Sequence, residues 1–194
     1  MKIFLIRHGE SQSNYDKKHG KDYFCGQMDV QLTEKGLQSA QALKEEFEQK
    51  DIDRVYVSDL TRTKQTYGAI FDKAIPTTVT STLRERSLGL FEGTLVSDLK
   101  QNPTYSAYFN DENYKSFRHS FTQKAPEGES YTDVLNRVKQ FFEKEVDPSL
   151  ETIAVVAHQV VIRCMMVYLG YDKQETAIDR EVDNCVPYVV EKDY

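Results

Sequence analysis

Disulfide chemistry is nearly excluded at the outset, because 194 residues carry only three cysteines and no CxxC. Cys25, Cys164 and Cys185 are odd in number and widely scattered, which fits reduced thiols and an expected cytoplasmic location. Long apolar runs are also missing. The opening MKIFLI is cut off at Arg7, too short for a signal-peptide core and far too short to span a bilayer. Positive charge is not in surplus either, with a net charge of −6 and a pI of about 5.3. A membrane and a nucleic acid are therefore not expected partners. Any anion site has to be made locally, by a few clustered cations. There is no GxxxxGKS/T loop and no GxSxG elbow, and no cysteine is followed six positions later by Arg, as a cysteine phosphatase loop requires. What is present is ordinary for a globular chain: 39% hydrophobic and 29% charged residues, without repeats, over a length that suits one domain, 1–194.

Short apolar runs alternate with helix-like stretches, which predicts an α/β fold with a mainly parallel central sheet. Four runs read as strands: Lys2–Ile6, Arg54–Val57, Thr77–Leu83 and Ile153–Ala157. The first and last are almost wholly apolar, as expected for central strands covered on both faces. Thr33 should cap one helix, EKGLQSAQALKEEFEQK, with Leu37, Ala40, Leu43 and Phe47 at helical spacing. Ser58 or Asp59 should cap a second, LTRTKQTYGAIF. A third, YTDVLNRVKQFFEKEV, follows Gly128-Glu129-Ser130 and carries Val134, Leu135, Val138 and Phe141 on one face. Further back, Tyr105, Tyr108, Phe109, Tyr114, Phe117 and Phe121 interleave with Lys115, Arg118, His119 and Lys124. This stretch reads as a cap inserted at about 93–126, too short for a core of its own.

Each strand delivers polar residues just past its carboxyl end, where ligands bind in open α/β sheets. The first delivers Arg7 and His8. The second delivers Ser58 and Asp59, with Arg62 in the first turn of the next helix; the third delivers Arg84 and Glu85, and the fourth His158. Adjacent Arg7 and His8 repel each other and resist burial, so an anion held between them is the gain that explains the pair. Arginine forks onto phosphate or carboxylate oxygens. A neutral imidazole can attack phosphorus while a second, as imidazolium, stabilises the equatorial oxygens. Gly9 would permit a tight turn after the nucleophile, and Asn14 or Ser11 would add neutral donors. Glu85 would protonate the departing alkoxide and then take a proton from water. The inventory is that of phosphoryl transfer through phosphohistidine, with no metal and no cofactor.

Taken singly, these residues read more blandly. His158 reads as structural, His19 and His119 as loop or cap residues, Arg62 as a surface residue paired with Asp59, and Glu85 as solvated. Their conjunction at four strand ends carries the functional reading. A metal site from His8 and His158 is disfavoured by the two arginines and by the lack of a third ligand at suitable spacing. Asp51-Ile52-Asp53-Arg54-Val55 matches the DxDxV of aspartate-nucleophile phosphatases, but it precedes a strand instead of following one.

At these residues the sequence resembles the histidine phosphatase superfamily, the phosphoglycerate-mutase-like proteins, over nearly the whole chain. LIRHGESQSN resembles the signature around the family's phosphorylated histidine, which maps to His8, and GQMDVQLTEKGLQSAQAL resembles the loop and helix that follow. VYVSDLTRTKQT looks like the element with the second phosphate-binding arginine, Arg62; LRERSLGLFEG maps the acid/base glutamate to Glu85. PEGESYTDVLNRV and VVAHQVVIR resemble the last two motifs, the second placing His158. The resemblance implies a three-layer α/β sandwich and a phosphorylated small molecule as partner. HQVVIRCMMVYL together with GESY is similar to the fructose-2,6-bisphosphatase branch, which places Tyr and basic residues in the cap. Gln159 stands where many members have Gly, Tyr131 follows GES, and Lys115 and Arg118 are candidates for a second phosphate. Mutases of the family are usually longer, with extra cap segments that keep water out, so hydrolysis is expected over transfer. The catalytic set implied is Arg7, His8, Arg62, Glu85 and His158; binding adds Asn14, Gln159, Lys115, Arg118 and Tyr131. The alternatives are a phosphoglycerate mutase and a phosphoprotein phosphatase, whose phosphotyrosine ring the aromatic cap would accept.

Overall fold

The computed structural model describes residues 1–71, 74–112 and 115–193, the side chain of Lys115 excepted. Along them run β1 (Lys2–Arg7), α1 (Gln12–Lys18), α2 (Glu34–Gln41), α3 (Lys44–Glu48), β2 (Arg54–Ser58), α4 (Thr61–Ile70) and β3 (Thr77–Thr80). There follow α5 (Val96–Gln101), α6 (Ala107–Asn110), α7 (Tyr131–Lys144), β4 (Thr152–Ala157), α8 (Gln159–Tyr168), α9 (Gln174–Ala177) and β5 (Pro187–Glu191). The five strands lie in the order β3-β2-β4-β1-β5. All neighbouring pairs are parallel except β1 with β5, which is antiparallel.

The near-continuous apolar strands are apolar because both faces are covered, and side chains alternate between two separate cores. Ile3 and Leu5 of β1, Tyr56 of β2, and Ile153 and Val155 of β4 pack with Val134, Val138 and Phe141 of α7 and with Val161, Ile162 and Met165 of α8. On the opposite face, Phe4 and Ile6, Val55 and Val57, and Ala154 and Val156 pack with Ala40, Phe47 and Ile70 from α2, α3 and α4. The arrangement is a three-layer sandwich. Each layer of helix is amphipathic toward it; Ser130 caps α7 through a reciprocal capping box with Asp133, as its position before the helix implies.

Three sequence expectations differ from the structure, and one strand has no counterpart among them. The long helix after Thr33 is two helices, broken where Leu43 N–H tightens onto the Ala40 carbonyl; this turn swings Phe47 against Phe4 and Phe71 and leaves Leu37 exposed. Thr33 does cap α2, accepting from Gly36 N–H at 3.0 Å. The third strand ends at Thr80, whose hydroxyl accepts from Thr82 N–H at 3.2 Å and starts a single 3-10 turn, Ser81–Leu83. Neither Ser58 nor Asp59 caps α4: Leu60 is the cap residue, and Asp29, from a distant loop, receives Thr61 N–H and Oγ–H at 2.8 and 2.9 Å. β5 went unread altogether.

The aromatic segment after Gly93 folds as α5, α6 and a 3-10 turn, Lys115–His119. Its Val96, Leu99, Phe117 and Ala125 bury with Phe24 and Phe91, from outside the segment, as a third apolar cluster ringed by Tyr105, Tyr108 and Phe109. Tyr114 lies outside the described residues.

Candidate active site

The register of the parallel pair β1 and β4 sets the centre. Arg7 pairs with Ala157, so the next residues, His8 and His158, leave the sheet side by side, with ring centroids 5.2 Å apart. Both are buried. His8 Nδ1 lies 2.7 Å from the Gly9 carbonyl. A carbonyl only accepts, so Nδ1 carries the proton and Nε2 keeps the lone pair. Burial above all, then Arg62 and Arg7, holds His8 well below the usual imidazole range, so the ring is neutral at neutral pH. His158 is depressed in the same way, by burial and then by Arg62, His8 and Arg7. The imidazolium expected there is therefore a neutral ring in the free protein. Its Nε2 is 2.9 Å from Ser58 Oγ, and its buried Nδ1 has no hydrogen-bond partner among the described residues.

Gly9 does not have a positive φ, so left-handed freedom is not what this glycine supplies. A Cβ at Gly9 would fall 2.4 Å from the Gly36 carbonyl oxygen, and one at Gly36 would fall 2.1 Å from that of Glu10. Close approach of the loop to α2 is what both glycines provide.

Both expected phosphate-binding arginines are anchored by backbone carbonyls, which fixes the plane of each fork. Arg7 Nη1 donates to the Val182 carbonyl at 2.7 Å, and its buried Nε has no partner among the described residues. Arg62 is 2% exposed; its Nη1 and Nη2 donate to the carbonyls of Met28 and Gly26 at 2.8 and 2.9 Å. It is not paired with Asp59, which instead takes a bidentate bond from Arg84 at 2.8 and 2.7 Å. Glu85, past the 3-10 turn, accepts from Arg86 N–H at 2.8 Å and, more weakly, from Val160 N–H at 3.5 Å. Arg7, His8, Arg62 and Glu85 line one pocket at the carboxyl edge of the sheet, with His158 beside His8.

Of the expected binding residues, Asn14, Gln159, Arg118 and Tyr131 line the same pocket. Asn14 Oδ1 accepts from Ser11 N–H and Oγ–H, both at 3.1 Å, which leaves its amide NH2 outside that capping box and uses up the Ser11 donors. Tyr131 is fully buried and its hydroxyl accepts from Arg163 at 2.9 Å, so it positions an arginine. Lys115's side chain is among those not described. Of the aromatic residues expected to accept a phosphotyrosine ring, Tyr105, Tyr108, Phe109 and Phe117 pack in the third cluster, and none of them lines the pocket.

The sequence reading missed Arg86, Arg163, Lys17 and Asp22, which also line the pocket. Arg86 donates to the carbonyls of Phe117 and Arg118 at 2.9 and 2.8 Å. The signal was available for two of them: Arg86 directly follows Glu85, and Arg163 stands one helical turn from Gln159. Among the described residues, six Arg or Lys side chains line the pocket against two carboxylates, Asp22 and Glu85. Cys25 lines it too, but burial pushes its thiol up and keeps it protonated at neutral pH. Among the described residues no group of three or more His, Cys, Asp or Glu side chains is placed to hold a metal ion, and no helix is long and apolar enough to cross a membrane.

These features define an α/β protein with a cationic, histidine-centred pocket at the carboxyl ends of its strands. The chain belongs to the histidine phosphatase superfamily (branch 1), which matches residues 3–193, and it is a phosphatase-type enzyme. A 2,3-bisphosphoglycerate-dependent phosphoglycerate mutase 2 of Gloeobacter violaceus is 30% identical over 97% of this chain and 84% of its own length. The crystal structure of the alpha-ribazole phosphatase from Shigella flexneri superposes with a TM-score of 0.83 at 26% identity, covering 100% of this chain and 91% of that one. A mycobacterial glucosyl-3-phosphoglycerate phosphatase shares the fold, with a TM-score of 0.76 at 22% identity over 98% of this chain and 92% of that one. None of these three bears the fructose-2,6-bisphosphatase name that GESY and HQVVIR suggest.

Proposed function

We propose that the protein hydrolyses phosphomonoesters of small metabolites through a phosphohistidine at His8. The observation that carries this reading is the locked His8 tautomer, neutral with Nε2 free, between two arginines whose forks are anchored by backbone carbonyls. Nε2 attacks phosphorus as the ester P–O bond breaks, and the leaving oxygen takes the proton of Glu85. Water then attacks phospho-His8, Glu85 recovers a proton from it, and cleavage of the P–N bond releases orthophosphate and neutral His8. Arg7, Arg62 and His158 hold the phosphoryl oxygens throughout, and the 93–126 segment serves as a cap over the pocket.

The cationic excess extends past the reacting centre to Arg86, Arg118 and Arg163, beyond what one phosphoryl group requires. It suits a substrate with a second anionic group, such as a sugar bisphosphate. The mutase name of the Gloeobacter relative supports a second reading, phosphoryl transfer between phosphoglycerates.

The test is phosphate release from fructose 2,6-bisphosphate, 3-phosphoglycerate, a phosphotyrosine peptide and nitrophenyl phosphate, for wild type, His8→Ala and Glu85→Gln. His8→Ala should lose essentially all turnover, and Glu85→Gln should slow formation of the phosphoenzyme about 100-fold or more with alkyl esters and far less with the nitrophenyl ester, whose leaving group needs no proton. A phosphoenzyme trapped on another residue would overturn the His8 assignment. Turnover of 3-phosphoglycerate that requires a bisphosphate primer, without phosphate release, would favour the mutase.

A further inference from the structure

We infer that Asn184 is a positioning residue for the reaction, acting on His8 through the peptide that joins His8 to Gly9. That peptide is held at both ends. The His8 carbonyl accepts from Asn184 Nδ2 at 2.7 Å, and Gly9 N–H donates to Thr66 Oγ1 at 3.0 Å. The next carbonyl along, that of Gly9, is the acceptor for His8 Nδ1–H. The clamp fixes the plane on one side of Gly9 and so constrains where the acceptor for the imidazole proton, in the next peptide, can sit, and with it the tautomer that leaves Nε2 free.

A clamp is needed because residue 9 has to be glycine. The close approach to Gly36 excludes a Cβ there, and glycine leaves the backbone freer to rotate than any other residue. The antiparallel ladder that would otherwise steady this end of β1 stops at Ile6, opposite Pro187. Beyond it the chain supplies substitutes: Asn184 bridges to Arg7, and Cys185 N–H donates to the Arg7 carbonyl at 3.0 Å. Cys185 has φ +55, a left-handed conformation that a residue with a side chain keeps only where its surroundings hold it. The same segment gives the Val182 carbonyl to Arg7 and the Arg180 carbonyl to Arg163 at 2.8 Å. Residues 180–185 thus grip three pocket residues while lining none of the pocket themselves.

The inference rests on His8 as nucleophile. The test compares wild type with Asn184→Ala and the isosteric Asn184→Asp, whose carboxylate has no N–H to donate. Two quantities are read: kcat and KM on the best substrate of the panel, and the 15N NMR signals of His8, one of only four histidines. Both variants should lose about 10- to 100-fold in kcat with KM within about threefold, and the His8 signal should change from a single Nδ1–H form to an exchanging mixture. A folded variant with wild-type kcat overturns the inference. So does one that loses kcat while its His8 signal stays at the wild-type position, since the contact is then merely structural. If the alanine variant does not fold, the aspartate variant decides on the same readouts. Should His8→Ala keep its turnover, the nucleophile assignment fails by itself, and the NMR signal still reports whether Asn184 sets the imidazole.

Discussion

In the proposed reaction His8 has to be unprotonated to attack, and the groups that keep it so are the ones assigned there to hold the phosphoryl group. Burial and the charges of Arg62 and Arg7 depress both His8 and His158. The consequence for stability has a definite sign. Folded values below the unfolded value of about 6.5 mean that the unfolded chain binds more protons once the pH drops past that point. The contribution is complete above about pH 6.5 and is lost as pH falls toward the folded values. Thermal unfolding followed from pH 7 to about 5.5, above the carboxylate range, should show a falling Tm, and His158→Asn should flatten that fall. An identical slope in the variant would count against a neutral, buried His158. At this scale the sequence was readable wherever a functional side chain stands within one turn of a strand end, as Arg7, His8, Arg62 and His158 do. Asn184 was not, because its partner is 176 residues away and its own neighbours carry no motif.

The loops between elements hold the arginine forks in place, and Glu92 organises two of them. Its Oε1 accepts from Leu88 N–H at 2.8 Å, Gln27 N–H at 3.1 Å and Ser87 Oγ at 3.3 Å. It also sits where a Cβ on Gly26, which has φ +47, would clash at 2.2 Å. The Gly26 and Met28 carbonyls on either side of Gln27 are the anchors of Arg62. Glu92→Ala leaves half-buried donors without their acceptor, for an expected loss of about 1 kcal/mol in unfolding free energy. The inhibition constant for orthophosphate should rise about tenfold as Arg62 loses its fixed orientation, a change of about 1.4 kcal/mol. An unaltered constant in a folded variant would separate Glu92 from the site. Elements with strong periodicity, such as α7 and β4, were legible from their own residues. The break before α3, the cap of α4 and the whole of β5 were not, since each is decided by a partner elsewhere: Phe4 and Phe71, Asp29, and the open edge of β1.

Across the whole molecule, a net charge of −6 coexists with a pocket where, among the described residues, cations outnumber carboxylates six to two. Phosphorylated substrates should be drawn to that one face, and the attraction should be screened by salt. Raising NaCl from about 10 to 100 mM shortens the Debye length from about 30 to 10 Å, so kcat/KM should fall several-fold while kcat at saturation stays level. A flat kcat/KM would mean that the pocket cations act only at contact. The sheet order has a consequence for how the enzyme comes into being. β1, which carries Arg7 and leads to His8, has only β4 and β5 for neighbours, and both are drawn from residues 152–191. At about 5–20 residues per second, a ribosome takes roughly 10–30 s to travel from the first strand to its partner. Through that interval the emerging polypeptide holds the proposed nucleophile with no sheet beside it, so competence should arrive in a single late step, and a chain terminated before β4 should be inert, not half-active.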